Sequence, residues 1–252
     1  MQNGSHARAV NFFLNSKGGV GKSHHAVFMA QAYRQAGQPV VAIDADATSA
    51  TFFCYKALQV RRVPLMEGDD INPRVFDSIV EEILTTDANF VIDTGSSAFV
   101  ELNRYLLRNG IPQHVIEGGK RFIANIIIAG GNLFAETCSN LKAIADQMPA
   151  EVEIVVWIND HFGPVVPAGR LFEDLEIYKM TQGRIAAVIQ LDDHTFAEKQ
   201  TFGADVSQMT RAGLTFEEVQ ASPDFTIMAK HRLKRVEQDL YGKFAALLGD
   251  AA

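Results

Sequence analysis

Two lysines, three glycines and a serine fall within seven positions, Lys17-Gly18-Gly19-Val20-Gly21-Lys22-Ser23. That combination suits an anion. Glycines let consecutive backbone N–H groups turn inward around a phosphate, and a following helix adds the positive end of its dipole. A lysine closing the loop supplies a point charge to the outer phosphates, and the adjoining hydroxyl can ligate Mg²⁺. Lys22 and Ser23 stand at those two places, with Gly18, Gly19, Val20 and Gly21 as the backbone cradle. Ser16 replaces the usual first glycine, so the generic G-x-x-x-x-G-K-[ST] expression is not met, and Lys17 adds a second lysine. A glycine turn with solvated lysines is the competing reading. A dinucleotide-binding loop is disfavoured, because its third glycine would fall at His24. Two acidic sets could complete a phosphate site: Asp44 with Asp46, and Asp93 in Asp93-Thr94-Gly95. Each follows an apolar run, where ligands gather at the carboxyl ends of parallel strands. From there a carboxylate can sit opposite the loop serine and hold Mg²⁺ through its water shell. Capping of a helix is the alternative for Asp44 and Asp46. An aspartic-protease role for Asp-Thr-Gly needs a second such aspartate sharing a proton, and the sequence has none.

The elements that must position these residues are legible as alternating patterns. An apolar run over 9–14 precedes the loop, and Ala26, Met29, Ala30 and Tyr33 follow at the spacing of one helical face. This is the strand–loop–helix context a phosphate loop requires. Strands are expected over 39–43, ending at Asp44, and over 89–92, ending at Asp93. Residues 122–129 form the most apolar strand and are expected to be central, with Gly130-Gly131 opening a helix through Met148. A strand over 153–160 and another over 184–193 follow. Smaller elements are a short edge strand in 60–65, an acidic loop over 66–70, and helices from Pro73 to about Thr85 and over 98–108. Short helices over 195–202 and 206–221 are expected to break at Gly203 and Gly213. The alternation predicts an α/β fold, a mostly parallel sheet with helices on both faces. Residues 227–248 space Ile227, Leu233, Val236, Leu240, Phe244 and Leu247 for one helical face, with Lys230, Arg232, Lys234 and Arg235 between them. A packed final helix with a solvated face, a DNA-phosphate patch and a membrane anchor compete for this basic amphipathic helix. The cation-free tail over 245–252 weighs against the anchor.

Composition sets the bounds. With 252 residues, 47% hydrophobic and 21% charged, the chain reads as one large domain over 1–252, residues 1–7 being expected to be flexible. A net charge of −7 excludes a basic nucleic-acid coat, so DNA contact would need a local patch. No apolar run approaches the roughly 18 residues needed to cross a bilayer, and the polar start lacks a secretory core. Cys54 and Cys138, without a C-x-x-C pair, fit free thiols in a reducing cytoplasm. The histidines lack zinc-ligand spacing. His24 borders the loop and is a candidate nucleotide contact, although the side chains of His24 and His25 are expected to pack or face solvent.

The loop resembles the deviant Walker A motif of the ParA/MinD family of P-loop ATPases. The resemblance implies a single-domain P-loop NTPase that uses ATP and Mg²⁺ and forms an ATP-dependent homodimer. Lys17 would reach across a nucleotide-sandwich dimer to the partner's phosphates. Asp46 would position the attacking water, Asp44 would support the Mg²⁺ shell, and Asp93 would be the Walker B carboxylate. Gly95 would donate its N–H to a γ-phosphate as a switch glycine. Asn159 matches a family asparagine that hydrogen-bonds adenine, a turn-favouring Asn-Asp pair being the alternative. Leu191 and Asp192 would neighbour the base. The chain departs from the family where Ala47-Thr48 replace a frequent Pro-Gln and Gly95-Ser96-Ser97 replace frequent prolines. No helix-turn-helix precedes the loop, and the layout looks like ParA-like proteins of plasmid conjugation and stability operons, the TraL and StbB type. The implied function is a cytoplasmic ATP-driven dimer switch that positions DNA or a protein cargo, with a protein activator or cargo adaptor. A metabolic P-loop enzyme of the dethiobiotin synthetase or cobyrinate amidase type is a second reading. A nucleotide-binding interaction module with little turnover is a third. Lys17 beside Gly18-Gly19 favours the first.

Overall fold

The five residues of β1 (Ala9–Phe13) are all buried, as a strand covered on both faces must be. The computed structural model describes residues 7–248 apart from 69, 168–169 and 191–200, with no side-chain description for 246–248. Around β1 lie β2 (Val40–Asp44), β3 (Arg61–Arg62), β6 (Asn89–Asp93), β7 (Arg121–Ala129), β8 (Glu153–Asn159) and β9 (Ile185–Gln190). They form a seven-stranded sheet in the order β3-β2-β6-β1-β7-β8-β9, every neighbouring pair parallel. The middle strand is therefore β1; β7, expected to be central, lies one place away, between β1 and β8. The chain leaves β1 toward β2 on one side and later builds β7 to β9 on the other. That reversal puts a topological switch point at the carboxyl end of β1, where the glycine loop begins.

Side chains alternate along each strand, and the two faces carry different helices. Ala9, Phe13, Ile123, Ile127, Val155 and Trp157 pack beneath α1 (Lys22–Gln35), α7 (Thr201–Arg211), α8 (Phe216–Ala221) and α9 (Ile227–Leu248). Val10, Phe12, Phe90, Phe122 and Ile126 face the other layer. That layer is α2 (Pro73–Thr85), α3 (Phe99–Arg108), α4 (Ile111–Glu117), α5 (Phe134–Gln147) and α6 (Glu176–Thr181). A ladder of polar groups crosses the first core. Asn11 Nδ2 donates to Tyr33 Oη at 3.0 Å and to the Phe90 carbonyl at 3.1 Å, while Trp157 Nε1 donates to Asn125 Oδ1 at 2.9 Å. These partners satisfy donors that would otherwise be expensive to bury.

Several local expectations change. The segment expected as an acidic loop instead holds an antiparallel pair, β4 (Met66–Glu67) with β5 (Asp70–Ile71), with Gly68 at φ 65° after β4. Gly203 does not break a helix but is buried within α7; of the helix expected over 195–202, residues 195–200 lie outside the described residues. Gly213 does break one, with φ 63°. In α9, Leu233, Val236, Leu240 and Phe244 are buried as expected, but Ile227 is 85% exposed: six residues set it about 120° around the helix from Leu233, and buried Ala229 takes the inward place in the first turn. Among the described residues, no helix is long and apolar enough to cross a membrane.

Candidate functional site

Beyond β1 the chain is tied down before it reaches the glycines. Asn15 pairs with β7 like an added strand residue: its Nδ2 donates to the Ile127 carbonyl at 2.9 Å and its Oδ1 accepts from Ile127 N at 3.0 Å. Asn140 of α5 accepts from Ser16 N at 2.9 Å and donates to the Leu14 carbonyl at 3.0 Å. The loop then turns through Gly19 (φ 75°) and Gly21 (φ 102°), backbone angles that penalise any Cβ. Gly21 is also the N-cap of α1, so the helix's free N–H groups and its dipole open into the loop.

Lys22 is 7% exposed, and its ammonium donates to the Lys17 carbonyl across the loop at 3.2 Å. Burial lowers its pKa, opposed by the nearby carboxylates of Asp93 and Asp46. Asp93 is 1% exposed at the end of β6, and burial pushes its pKa up to about 7 against the Ser23 hydroxyl bond and the Lys22 charge. Among the described residues, Asp93 Oδ1 has no hydrogen-bond partner. A buried carboxylate oxygen without a donor, on a group that also receives the Ser23 hydroxyl, is the donor set that a hard divalent cation takes. The residues present therefore fit Mg²⁺.

Asp44 lies opposite Asp93 in the β2–β6 register, but both of its oxygens are used. Oδ1 accepts from Asp46 N at 3.1 Å and Oδ2 from Phe53 N at 2.9 Å, so Asp44 organises the segment over 46–53. Asp46 accepts at Oδ1 from Thr48 N (2.8 Å), Thr48 Oγ1 (2.7 Å) and Ser49 N (3.2 Å). That oxygen would lie 2.9 Å from a Cβ placed on Gly95, so the two acidic segments touch there and a side chain at 95 would displace the Asp46 carboxylate. Ser96 reaches the loop in turn, its Oγ being 3.3 Å from a Cβ on Gly18.

Lys17 points out of this cluster. Its ammonium pairs with Glu136 of α5 at 3.2 Å, the two side chains being 43% and 46% exposed. Asn159, at the end of β8, donates from Nδ2 to the Val20 carbonyl at 2.9 Å and accepts at Oδ1 from His161 N at 3.1 Å. It thus holds the loop from β8, two strands away from β1. Beside it is a cavity of about 260 Å³ whose lining includes Asn159, His24, His161, Phe162, Thr210 and Arg211. His24 faces this cavity, and its pKa is lowered by burial and by His161. His25 is buried against Trp157, ring centroids 5.2 Å apart, with Nδ1 bonded to the Gly21 carbonyl at 2.8 Å. Leu191 and Asp192 lie outside the described residues. Sequence reasoning missed Asn140, Glu136, Ser96 and the α7 side of the cavity; no motif marks them, because each reaches the loop only through the fold.

On α9, Arg232 pairs with Asp205 at 2.5 Å and Lys234 with Glu237 at 2.6 Å. Lys230 donates to the Gln220 carbonyl at 2.9 Å, and Arg235 lies over the Phe202 ring at 5.6 Å. Each of these four cations thus has a partner within the chain, although Lys234 and Arg235 remain exposed.

A strand, a glycine loop capping a helix, a buried lysine and a strand-end aspartate at one switch point define a P-loop nucleotide-binding α/β domain. The chain belongs to the CobQ/CobB/MinD/ParA nucleotide-binding domain family, whose model matches residues 12–206. It is 39% identical over 234 residues to Protein TraL of Escherichia coli, covering 93% of this chain and 96% of that protein. Its fold is that of ParA/MinD P-loop NTPases. The ParA family ATPase from Chlorobium tepidum TLS superposes with a TM-score of 0.53 at 15% identity, over 94% of this chain and 99% of that one. A putative plasmid partition protein from Borrelia burgdorferi B31 bound to AMPPNP gives 0.52 at 12%, over 96% and 99%.

Proposed function

We propose that this protein is a Mg²⁺-dependent, ATP-hydrolysing dimer switch of the ParA/MinD type, a single domain over 1–252. It would act in plasmid partition, stability or conjugative transfer by positioning DNA or a protein cargo. The observation that carries the reading is the division between two lysines. Lys22 is buried over its own loop, whereas Lys17 stands half exposed at the rim with its ammonium directed away from it. A lysine so placed is available to a second molecule. The relationship to TraL and the AMPPNP-bound fold relative are in keeping with this.

The chain's residues divide the work. The backbone of Gly18, Gly19, Val20 and Gly21 cradles the phosphates, with His24 at the first helical turn, and Lys22 offsets their charge. Ser23 and Asp93 would hold Mg²⁺, which when bound neutralises phosphate oxygens; Asp44 supports them by fixing the segment over 46–53. Asp46 orients water, and Gly95, against it, offers its N–H to the terminal phosphate. Asn159, with Leu191 and Asp192, borders the base. Loss of the terminal phosphate frees the segments around Asp46 and Gly95, and the dimer loosens. Turnover is slow and is stimulated by a protein activator or cargo adaptor. Non-specific DNA contact through Lys230, Arg232, Lys234 and Arg235 is the weaker part of the reading, given their internal partners, and membrane contact is weaker still.

The test is oligomeric mass by light scattering with Mg²⁺-ATP. A dimer is expected only with ATP, retained in Asp46→Ala and lost in Lys17→Ala. A wild type that binds ATP yet stays monomeric would overturn the switch and favour a metabolic P-loop enzyme.

A further inference from the structure

Two carbonyls at the crown of the glycine loop are held by side chains that the motif itself does not contain. Asn159 Nδ2, at the end of β8, donates to the Val20 carbonyl at 2.9 Å. His25 Nδ1, in the first turn of α1, bonds to the Gly21 carbonyl at 2.8 Å. A carbonyl only accepts, so the proton of the His25 ring sits on Nδ1. Both side chains are buried, and they converge on one residue. A Cβ added to Gly21 would lie 3.1 Å from Asn159 Nδ2 and 3.5 Å from His25 Nδ1. Each is also fixed from behind: Asn159 Oδ1 accepts from His161 N at 3.1 Å, and the His25 ring packs edge-on to Trp157.

Peptide geometry turns these two bonds into an aim. In a trans peptide the C=O of one residue and the N–H of the next share a plane and point in opposite directions. No cis bond occurs among the described residues. Drawing the Val20 carbonyl toward β8 therefore turns the Gly21 N–H away from β8. Holding the Gly21 carbonyl along α1 turns the Lys22 N–H out of the helix's N-terminus; that carbonyl already accepts from His25 N at 3.1 Å, and the ring adds a second bond. Gly21, at φ 102°, and its glycine neighbours leave the free chain many other orientations. Freezing them only when an anion arrives would cost affinity, whereas N–H groups aimed beforehand do not. Asn15 and Asn140 fix the entry to the loop, over 14–16, and leave the crown to Asn159 and His25.

We propose that Asn159 and His25 are paired positioning residues. Each sets one peptide plane of the crown, so that the Gly21 and Lys22 N–H groups face a polyphosphate before it binds. The inference rests on the reading of this loop as a phosphate cradle and deepens it, giving Asn159 a task on the phosphates as well as beside the base. Nδ2 carries two hydrogens, so that task leaves one for a base. The deciding probe is Mg²⁺ with inorganic tripolyphosphate, which has no base, compared with Mg²⁺-ATP; calorimetry on the full chain reads both. Asn159→Leu and His25→Leu keep bulk and remove the donor, and each should weaken tripolyphosphate binding at least about tenfold, the loss of one good hydrogen bond. An Asn159→Leu variant that loses affinity for ATP alone overturns the proposal. His25→Asn returns a donor near the place of Nδ1 but loses bulk against Trp157. It should bind tripolyphosphate more tightly than His25→Leu although urea unfolds it sooner. If affinity instead follows stability in that pair, His25 is only structural and its role falls. Amide spectra give the residue-level check. Tripolyphosphate should shift the Gly21 amide less in Asn159→Leu and the Lys22 amide less in His25→Leu, the other amide keeping most of its wild-type shift. Equal loss of both shifts in either variant overturns the assignment of one plane to each side chain. Circular dichroism checks that the variants fold. Should a leucine variant not fold, the wild type decides: the Asn159 side-chain amide resonances should move with tripolyphosphate as well as with ATP, and movement with ATP alone overturns the proposal. A wild type that binds neither probe would instead remove the phosphate reading itself.

Discussion

At the scale of single residues, two buried titratable groups beside the loop pull stability in opposite directions with pH. Asp93 has its native pKa raised to about 7, above its unfolded value, so its contribution is present at low pH and is lost as pH rises through about 7. His25 has its native pKa lowered to about 4 by burial, so its contribution is lost as pH falls from its unfolded value, near 6.5, to about 4. Over the shared window the two slopes largely cancel. Asp93→Asn removes one of them. The ligand-free variant should gain on the order of 3 kcal/mol over the wild type at pH 8, and its stability should climb between pH 4 and 6.5 where the wild type's is flatter. Urea melts at pH 4.5, 6.5 and 8 measure both; parallel curves would refute the assignment. The same variant should lose nucleotide affinity, a site that costs stability for its function. Lys17 offers a smaller effect. Its pair with Glu136 joins two half-exposed groups, and such pairs contribute under about 1 kcal/mol. Glu136→Gln should therefore change the ATP-dependent dimerisation constant by no more than about fivefold, measured by sedimentation, whereas Lys17→Ala should abolish dimerisation.

At the scale of elements, the site depends on backbone meeting backbone after β7 and β8. A Cβ on Gly130 would collide with the Gly163 carbonyl, which belongs to the segment that follows Asn159 and His161. Its φ of −78° suits any residue, so it is space alone that demands glycine there. Gly130→Ala should force the two segments apart and destabilise the fold by about 1–3 kcal/mol, seen as a lower urea midpoint at unchanged m. Gly183→Ala, with nothing within 4 Å, is the control and should stay within about 0.5 kcal/mol. This dependence was invisible in the sequence, where Gly130-Gly131 reads only as a helix start. What could be read was whatever is local: the loop between β1 and α1, Asp93 ending β6, the helix from Pro73, and the long last helix. What could not be read was how distant elements meet. The order of strands put β1, not the more apolar β7, in the middle. Asn11 and Asn125 sit inside apolar runs, and nothing in those runs says that Tyr33 and Trp157 will hydrogen-bond them. The apolar pattern groups Ile227 with the buried set, although six residues carry it about 120° around the helix from Leu233. Asp44 was readable as a strand-end carboxylate, but its use by Asp46 N and Phe53 N was not.

At the scale of the whole molecule, the nucleotide site joins strands from both halves of the sheet, so filling it should stabilise the chain as a unit. The loop hangs from β1, is pinned to β7 by Asn15 and to β8 by Asn159, and faces Asp93 on β6. A ligand that contacts all of these binds the folded state and not the unfolded one. At 100 times its dissociation constant it adds about 2.7 kcal/mol, which for a chain of this size raises the melting temperature by roughly 5–10 °C. Mg²⁺-ATP should produce that shift in a thermal melt, and chelating the metal should reduce it because Asp93 is then left facing the phosphates uncompensated. Lys22→Ala should abolish the shift, since its removal takes away the charge held over the loop. Lys17→Ala should retain most of it, because that ammonium pairs with Glu136 and points away from its own loop. Equal loss in both lysine variants would mean that Lys17 serves its own loop, and the division of labour on which the switch reading rests would fail.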